Sequence, residues 1–161
     1  MSGANSKKKT LVLGVGNELL QDEGLGIHAV RLLAAYNLPP EVDLIEGGTA
    51  GPQLLSYLDD VDRLIILDCI DAHTAPGSIF RFKPEELGTF PQDYAASIHD
   101  VGLLEVLQLA DLSGKPIEAE VFAMQPATIA WGLQLSPEIE RQLPKLVDLV
   151  YQEILSKVPA T

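Results

Sequence analysis

Short apolar runs, separated by glycine turns and amphipathic stretches, set the pattern of this chain. The first run, Leu11–Val15, leads to Gly16, which predicts a buried strand that ends in a sharp turn. Arg63–Ile70 is almost continuously apolar, which is typical of a central strand covered on both faces. The alternation in Ser78–Phe82 instead favours an edge strand. Two more strands are predicted over Val42–Glu46 and Ile117–Ala123.

Helical patterns alternate with these strands. Asp22 is a suitable N-cap for a first helix, and a short helix is predicted from about Pro52 to Leu58. A third helix is predicted to begin near Ser97–Asp100, and a fourth at Ser136-Pro137. The fourth helix has an apolar face at helical spacing, made of Ile139, Leu143, Leu146, Val147, Val150 and Ile154. This order predicts an α/β fold, a three-layer α/β/α sandwich with a mostly parallel (mixed) five-stranded sheet.

The length of 161 residues and the 47% hydrophobic composition suit one domain with a sizeable core. We expect a flexible N-terminal lead over residues 1–9, a single domain over 10–157 and a C-terminal tail over 158–161. Lys83–Ala96 contains Pro84, Gly88 and Pro91 and has no clear periodicity. A segment of that length is a candidate flap.

The charge balance limits the range of partners. Eleven Lys and Arg stand against 23 Asp and Glu, a net charge of −12, so the chain repels nucleic acid and anionic membrane surfaces. The single cysteine, Cys69, fits a reducing compartment. The apolar run behind Met1–Thr10 is too short for a signal peptide or a membrane span. We therefore expect a cytoplasmic monomer with no nucleic-acid partner and no membrane insertion.

Three ionisable residues stand at the ends of predicted elements: Glu23, Asp68 and His99. In a parallel sheet the site lies outside the carboxyl ends of the strands, where Glu23 and Asp68 are expected. Two carboxylates and an imidazole could bind a divalent transition metal with positions left open. The same residues also suit simpler roles, because Asp22-Glu23 could only cap a helix and His99 could only bond to backbone groups.

Other site patterns match poorly. The turn G-V-G-N-E-L from Gly14 begins like a dinucleotide fingerprint, with Glu46 ending the next strand, but Leu19 replaces the third glycine. The sequence has no Walker lysine after these glycines, no G-x-S-x-G and no H-E-x-x-H. Cys69 alternates with Asp68 along an apolar strand, which favours a structural thiol over a nucleophile.

Four motifs in order closely resemble the maturation endopeptidases of [NiFe] hydrogenases. They are L-V-L-G-V-G-N-E-L-L-Q-D-E-G-L-G from Leu11, E-G-G-T-A-G from Glu46, L-I-I-L-D-C-I-D-A from Leu64 with P-G-S-I, and S-I-H-D-V-G-L-L-E-V-L from Ser97. The resemblance covers most of Thr10–Ser156. Members of this family often have Asp where this chain has Glu46.

The resemblance implies an endopeptidase that removes the C-terminal extension of the [NiFe] hydrogenase large-subunit precursor after nickel insertion. The nickel would be carried by cysteine thiolates of that substrate. Glu23, Asp68 and His99 would complete its coordination and bring the scissile bond into place. Another divalent metal, such as Zn or Cd, could occupy the same ligands in the isolated protein.

The resemblance also implies that the loop of Gly47, Gly48 and Thr49 lies beside this site and helps to hold the substrate peptide. His28, on the first predicted helix, is expected at the surface. Two alternatives remain open at this point. One is a non-catalytic, metal-binding maturation chaperone of the same subunit, and the other is a nucleotide-binding α/β domain.

Overall fold

The computed structural model describes residues 8–49, 52–89, 95–96 and 103–158. Its strands are β1 (Thr10–Val15), β2 (Val42–Gly48), β3 (Arg63–Asp71), β4 (Ile79–Phe82), β5 (Ala95–Ala96) and β6 (Glu118–Met124). Its α-helices are α1 (Leu25–Leu33), α2 (Leu103–Leu112) and α3 (Pro137–Ser156), and 3-10 turns cover Gln21–Gly24, Pro52–Tyr57 and Pro84–Thr89. All five predicted strands form, with ends shifted by at most two residues.

The main sheet has the strand order β2-β1-β3-β6-β4, and β5 pairs with the end of β3. Strands β1, β2, β3 and β6 run parallel, whereas β4 pairs antiparallel to β6 at one edge. The prediction of a mixed, mostly parallel five-stranded sheet is therefore confirmed. Because the four parallel strands point the same way, their carboxyl ends meet at one edge of the sheet.

Helices cover both faces of this sheet. One face packs against α1 and α3, and the other packs against the 3-10 turn Pro52–Tyr57 and Leu103 of α2. The apolar face predicted for the last helix is buried at every position: Ile139, Leu143, Leu146, Val147, Val150 and Ile154. The three-layer α/β/α arrangement is thus confirmed, and the apolar face of α3 packs against both α1 and the sheet.

Two glycines allow α1 to pack backbone to backbone on the sheet. A Cβ at Gly26 would lie 2.3 Å from the Leu67 carbonyl oxygen and 2.5 Å from that of Val15. A Cβ at Gly14 of β1 would in turn lie 2.4 Å from the Gly26 carbonyl oxygen. This contact places the first turn of α1 directly at the carboxyl ends of β1 and β3.

Some predictions fall outside the described ranges. The predicted cap at Ser97–Asp100, and His99 with it, lies outside the described residues. The flap predicted over Lys83–Ala96 is described only over 83–89 and 95–96, which hold the turn Pro84–Thr89 and β5. Among the helices described here, none has both the length and the apolar character needed to cross a membrane.

Candidate active site

The carboxyl edge of the sheet holds two of the three ionisable residues that the sequence indicates. The register pairs the end of β1 with Leu67 of β3, so Asp68 lies one residue further, where β1 is ending. The 3-10 turn Gln21–Gly24, which carries Glu23, contacts β3 and leads into α1. Because Gly26 of α1 packs on the Leu67 carbonyl, this turn stands at the same edge as Asp68.

Asp68 is a carboxylate within an otherwise apolar strand. Its side chain is 1% exposed, and its Oδ1 accepts a hydrogen bond from the backbone N–H of Cys69 at 2.7 Å. Glu23 is half-buried. A buried carboxylate is costly unless hydrogen bonds or a cation compensate for the lost water. The position of Asp68 is therefore one at which a bound cation would add favourable energy.

The pKa of the Cys69 thiol reflects the negative charge at this edge of the sheet. Burial raises its pKa, and the charges of Asp68 and Glu23 raise the pKa further. Both carboxylates therefore lie close enough to act on the same buried atom. The thiol stays protonated at neutral pH, and a protonated, buried thiol is a poor nucleophile. The interpretation of Cys69 as a structural residue is supported.

Two of the three predicted metal ligands lie among the described residues. Within residues 8–49, 52–89, 95–96 and 103–158, no group of three or more His, Cys, Asp or Glu side chains is arranged to hold a metal ion. Glu23 and Asp68 supply two oxygen donors to one edge, and His99 lies outside the described ranges. A hard, anionic pair of donors suits a divalent cation, so the two carboxylates fit the predicted ligand role.

Asp22 does not cap α1, contrary to the prediction. The helix begins two residues after Glu23, its N-cap position is Gly24, and no side chain caps it. The fully buried Asp22 carboxylate instead accepts hydrogen bonds from the loop that follows β6, at 2.7–2.9 Å: Ala127 N–H, Thr128 N–H, Ser136 N–H and Ser136 Oγ–H. Asp22 therefore lies in the 3-10 turn before the helix, and its carboxylate holds the loop that precedes α3.

Ser136, at the start of α3, is one of the hydrogen-bond partners of Asp22. It occupies the N-cap position of α3, with Pro137 following, as predicted. Its hydroxyl makes no capping bond and donates to Asp22 at 2.7 Å. The loop 127–136 is therefore fixed at both ends by one carboxylate. The local sequence indicates a capping role for Asp22 but carries no signal for its partners, which are more than 100 residues away.

An ion-pair network surrounds the other predicted acidic position, Glu46. The Arg31 guanidinium donates to both Glu46 oxygens, at 3.1 and 2.9 Å, and also pairs with Glu18 at 3.0 Å. These bonds lower the pKa of Glu46. His28 is half-buried beside this network, and its Nε2 atom is buried without a hydrogen-bond partner among the described residues. His28 is therefore partly at the surface, as expected, whereas its Nε2 atom is not.

This network argues against a dinucleotide site. Both Glu46 oxygens are engaged by Arg31, so they are not available to ribose hydroxyls. A pyrophosphate site also needs a helix N-terminus directly after the glycine turn, whereas α1 begins nine residues after Gly16. Glu18 adds negative charge at the turn itself.

The predicted substrate loop lies at the end of β2, at the same edge of the sheet: Gly47 and Gly48 are the last residues of the strand, and Thr49 follows it. Gly48 has a positive φ of 57°, and its carbonyl accepts a hydrogen bond from Gly16 N–H at 3.0 Å. Gly47 is buried and Thr49 is exposed. A cleft of about 210 Å³ opens here, lined by Gly16, Asn17, Glu18, Ile27, Glu46, Gly48 and Thr49. A larger cavity lies at the opposite edge, between α2 and the segment before β3, away from Asp68.

Gln125 is a structural residue of this edge that sequence reasoning missed. It is 5% exposed, and its Oε1 accepts the Ala72 N–H at 2.7 Å while its Nε2 donates to Asp71 at 3.0 Å. That bond lowers the pKa of the Asp71 carboxyl. Gln125 therefore ties the end of β6 to the end of β3, three residues from Asp68. A buried glutamine has no periodic signature in the sequence.

Comparisons with known proteins agree with this architecture. A family model described as hydrogenase maturation protease matches residues 27–153. The hydrogenase expression/formation protein HupD of Bradyrhizobium diazoefficiens is 36% identical over 155 residues, covering 94% of this chain and 81% of the relative. The hydrogenase 2 maturation protease of Escherichia coli is 34% identical over 145 residues, covering 88% of each. The solved structure of the hydrogenase maturating endopeptidase HybD from E. coli superposes with a TM-score of 0.80 at 32% identity, covering 92% of this chain and 93% of that chain. The chain therefore belongs to the hydrogenase maturation protease family.

Proposed function

We propose that this chain is an endopeptidase that removes the C-terminal extension from the large-subunit precursor of an [NiFe] hydrogenase once nickel has been inserted. The observation that carries the proposal is the common position of Glu23 and Asp68 at the carboxyl edge of the sheet, in a member of this protease family. The nickel belongs to the substrate, where cysteine thiolates hold it. Glu23, Asp68 and His99 complete its coordination.

The chain's own side chains support a mechanism built on positioning. The sole cysteine of the sequence is buried and protonated, so it does not attack the peptide. Carboxylates fixed at the sheet edge hold the loaded metal, and the scissile bond is thereby brought into a defined place. The loop of Gly47, Gly48 and Thr49, at the end of the neighbouring strand β2, supports the extended substrate peptide.

Selectivity for a loaded precursor follows from the ligand set. The buried carboxylate of Asp68 and the half-buried carboxylate of Glu23 repel one another and lose water when the substrate covers them, and this is unfavourable unless a cation lies between them. A precursor that lacks nickel offers no such cation and is held weakly. A loaded precursor gains the coordination bonds as well as its protein contacts.

The mass of the precursor, measured after incubation with this protein, tests the proposal. We expect loss of a defined C-terminal peptide with nickel loaded and an intact precursor without nickel. Glu23→Gln, Asp68→Asn and His99→Gln should each abolish processing without changing the circular dichroism spectrum. Asp59→Asn is the matched control, because Asp59 is an exposed carboxylate at the opposite end of the sheet.

Three outcomes would contradict parts of the proposal. Cleavage without nickel would refute recognition through the substrate metal. Binding of the loaded precursor without any cleavage would instead indicate a maturation chaperone. Unchanged processing by the Glu23→Gln and Asp68→Asn variants would remove both carboxylates from the ligand set.

A further inference from the structure

Four large apolar side chains are exposed close to the Glu23 turn. Trp131 is 81% exposed, Leu133 is 61%, Leu19 is 51% and Ile129 is 48%. They lie on only two segments, the loop before the Glu23 turn and the loop between β6 and α3. Scattered apolar residues are normal on a protein surface, but a contiguous group is typical of an interaction site.

Backbone pairing joins the two segments into one surface. Leu20 and Gly132 form a parallel bridge, in which Gly132 N–H donates to the Leu19 carbonyl and Gln21 N–H donates to the Gly132 carbonyl, both at 2.9 Å. Leu19 and Trp131 therefore flank the same bridge. A Cβ at Gly132 would lie 3.0 Å from the Gln21 side chain, so the two segments are in direct contact.

The same surface is anchored to the candidate active site. The carboxylate of Asp22 fixes both ends of the loop 127–136, and Asp22 is the direct neighbour of Glu23. A partner that contacts Trp131 must therefore stand over the turn that carries Glu23. Exposed aromatic residues on fixed backbone are favoured as anchors because little conformational entropy is lost when they are covered.

Charged side chains are absent from the loop that carries three of the four apolar residues. The chain carries a net charge of −12, yet residues 126–136 contain no charged side chain. Depletion of charge together with exposed Trp, Leu and Ile is the composition of the core of a protein–protein interface. Nucleic acid and anionic membranes, in contrast, require a basic surface.

We propose that Leu19, Ile129, Trp131 and Leu133 form the docking surface for the hydrogenase large-subunit precursor, which rests on the function proposed above. A second copy of this chain placed here would stand over the Glu23 turn and exclude the substrate. The precursor must approach that turn to present its nickel. The docking surface thus holds the body of the substrate while the sheet edge receives its metal and C-terminal peptide.

Trp131 is the only tryptophan in the sequence, which allows a direct test. The chain labelled with 5-fluorotryptophan gives one ¹⁹F resonance, which should shift or broaden when the unlabelled, nickel-loaded precursor of the cognate hydrogenase is added. Trp131→Ala should raise the apparent KM for processing about tenfold or more, with kcat near the wild-type value. Leu19→Ser, which keeps the label, should raise KM in the same way and weaken the ¹⁹F response.

The matched control is Leu112→Ala, because Leu112 is 86% exposed at the end of α2, away from the carboxyl edge. Its KM and kcat should equal those of the wild type. Normal cleavage by Trp131→Ala, together with a resonance of the labelled wild-type protein that the precursor leaves unperturbed, would overturn the docking surface and leave the proposed function standing. A resonance that depends on protein concentration without precursor, together with a dimer in sedimentation, would assign the surface to a second copy and also overturn it. If the wild-type protein does not cleave the precursor, and the precursor does not shift or broaden its resonance, both proposals are overturned.

Discussion

Replacement of Asp22 by alanine should destabilise the fold by about 3–5 kcal/mol, out of a total that is about 5–15 kcal/mol for a domain of this kind. The carboxylate is fully buried and accepts four hydrogen bonds. Alanine leaves three backbone N–H groups and one hydroxyl without their acceptor, and each buried unsatisfied donor costs about 1–3 kcal/mol before the loop relaxes. Relaxation of the loop keeps the total below the simple sum.

Two milder substitutions should each lower the free energy of unfolding by a smaller amount. Asp22→Asn keeps one acceptor oxygen, which can still receive the Ala127 and Thr128 N–H groups, but its amide NH₂ then faces the Ser136 N–H. We expect a loss of about 1–3 kcal/mol. Ser136→Ala removes only the hydroxyl and should cost about 1 kcal/mol. Asp111→Ala, at an exposed position on α2, is the control and should stay within about 0.5 kcal/mol of the wild type.

Urea unfolding followed by circular dichroism measures these differences, and amide hydrogen exchange locates them. In Asp22→Asn the amides of Ala127, Thr128 and Ser136 should exchange faster, while those in the middle of α3 keep their protection. A midpoint for Asp22→Ala equal to that of Asp111→Ala would refute the role of the carboxylate. Uniformly faster exchange across the sheet would show that the loss is global and is not centred on the loop.

Gly26→Ala should prevent the native packing of α1, because its Cβ would lie 2.3 Å from a backbone carbonyl oxygen of β3. The Cβ of Gly48→Ala meets nothing within 4 Å, so this variant should cost only about 1–2 kcal/mol for its positive φ. Thermal melts of the two variants test this difference, and equal melting temperatures would contradict it. Glu46→Gln should flatten the acid limb of stability in urea titrations at several pH values. Arg31 lowers the pKa of Glu46, so the ion pair stabilises the fold fully above the unfolded pKa of 4.5, and this stabilisation is lost as the pH falls below that value. Because the pair is exposed, its contribution should stay under about 1 kcal/mol. A variant that keeps the wild-type loss of stability in acid would contradict the ion pair. Cys69→Ala should keep processing activity, and thiol reagents should label Cys69 only in urea; rapid labelling of the native protein would contradict the buried thiol.

The parts of the fold that the sequence predicts are those with local signals. The apolar stripe of α3 and the continuous apolar run of β3 each depend on burial of one face or of both, so spacing alone identifies them. Asp68 is predicted at the carboxyl end of its strand, whereas β3 continues for three more residues to Asp71 and it is the neighbouring strand β1 that ends beside Asp68. Motif resemblance then adds the family, which comparison confirms.

The sequence predicts the wrong role for Asp22 because its hydrogen-bond partners are distant along the chain. Asp22 satisfies every local criterion for a helix cap, yet its partners lie 105 to 114 residues further on. His28 lies on α1 near the Arg31–Glu46 ion pair, whose two residues come from different elements, and its Nε2 atom is buried without a hydrogen-bond partner among the described residues. Local pattern does not determine which of two compatible hydrogen-bond partners a buried polar group will have.

The adjacent residues Asp22 and Glu23 have different roles on one short turn: Asp22 anchors the loop 127–136, and Glu23 is a proposed metal ligand. In a 3-10 turn successive side chains point in different directions, so Asp22 can be fully buried against the loop 127–136 while Glu23 stays half-buried at the sheet edge. Any movement of that loop must therefore move the backbone that carries the proposed nickel ligand. The docking surface on the loop and the ligand on the turn are linked through the Asp22 carboxylate and through the backbone hydrogen bonds of Gln21 and Gly132, so the loop also holds the backbone that carries Glu23. This coupling gives a physical reason for an acidic pair at this position, where a helix cap alone would need only one acidic residue.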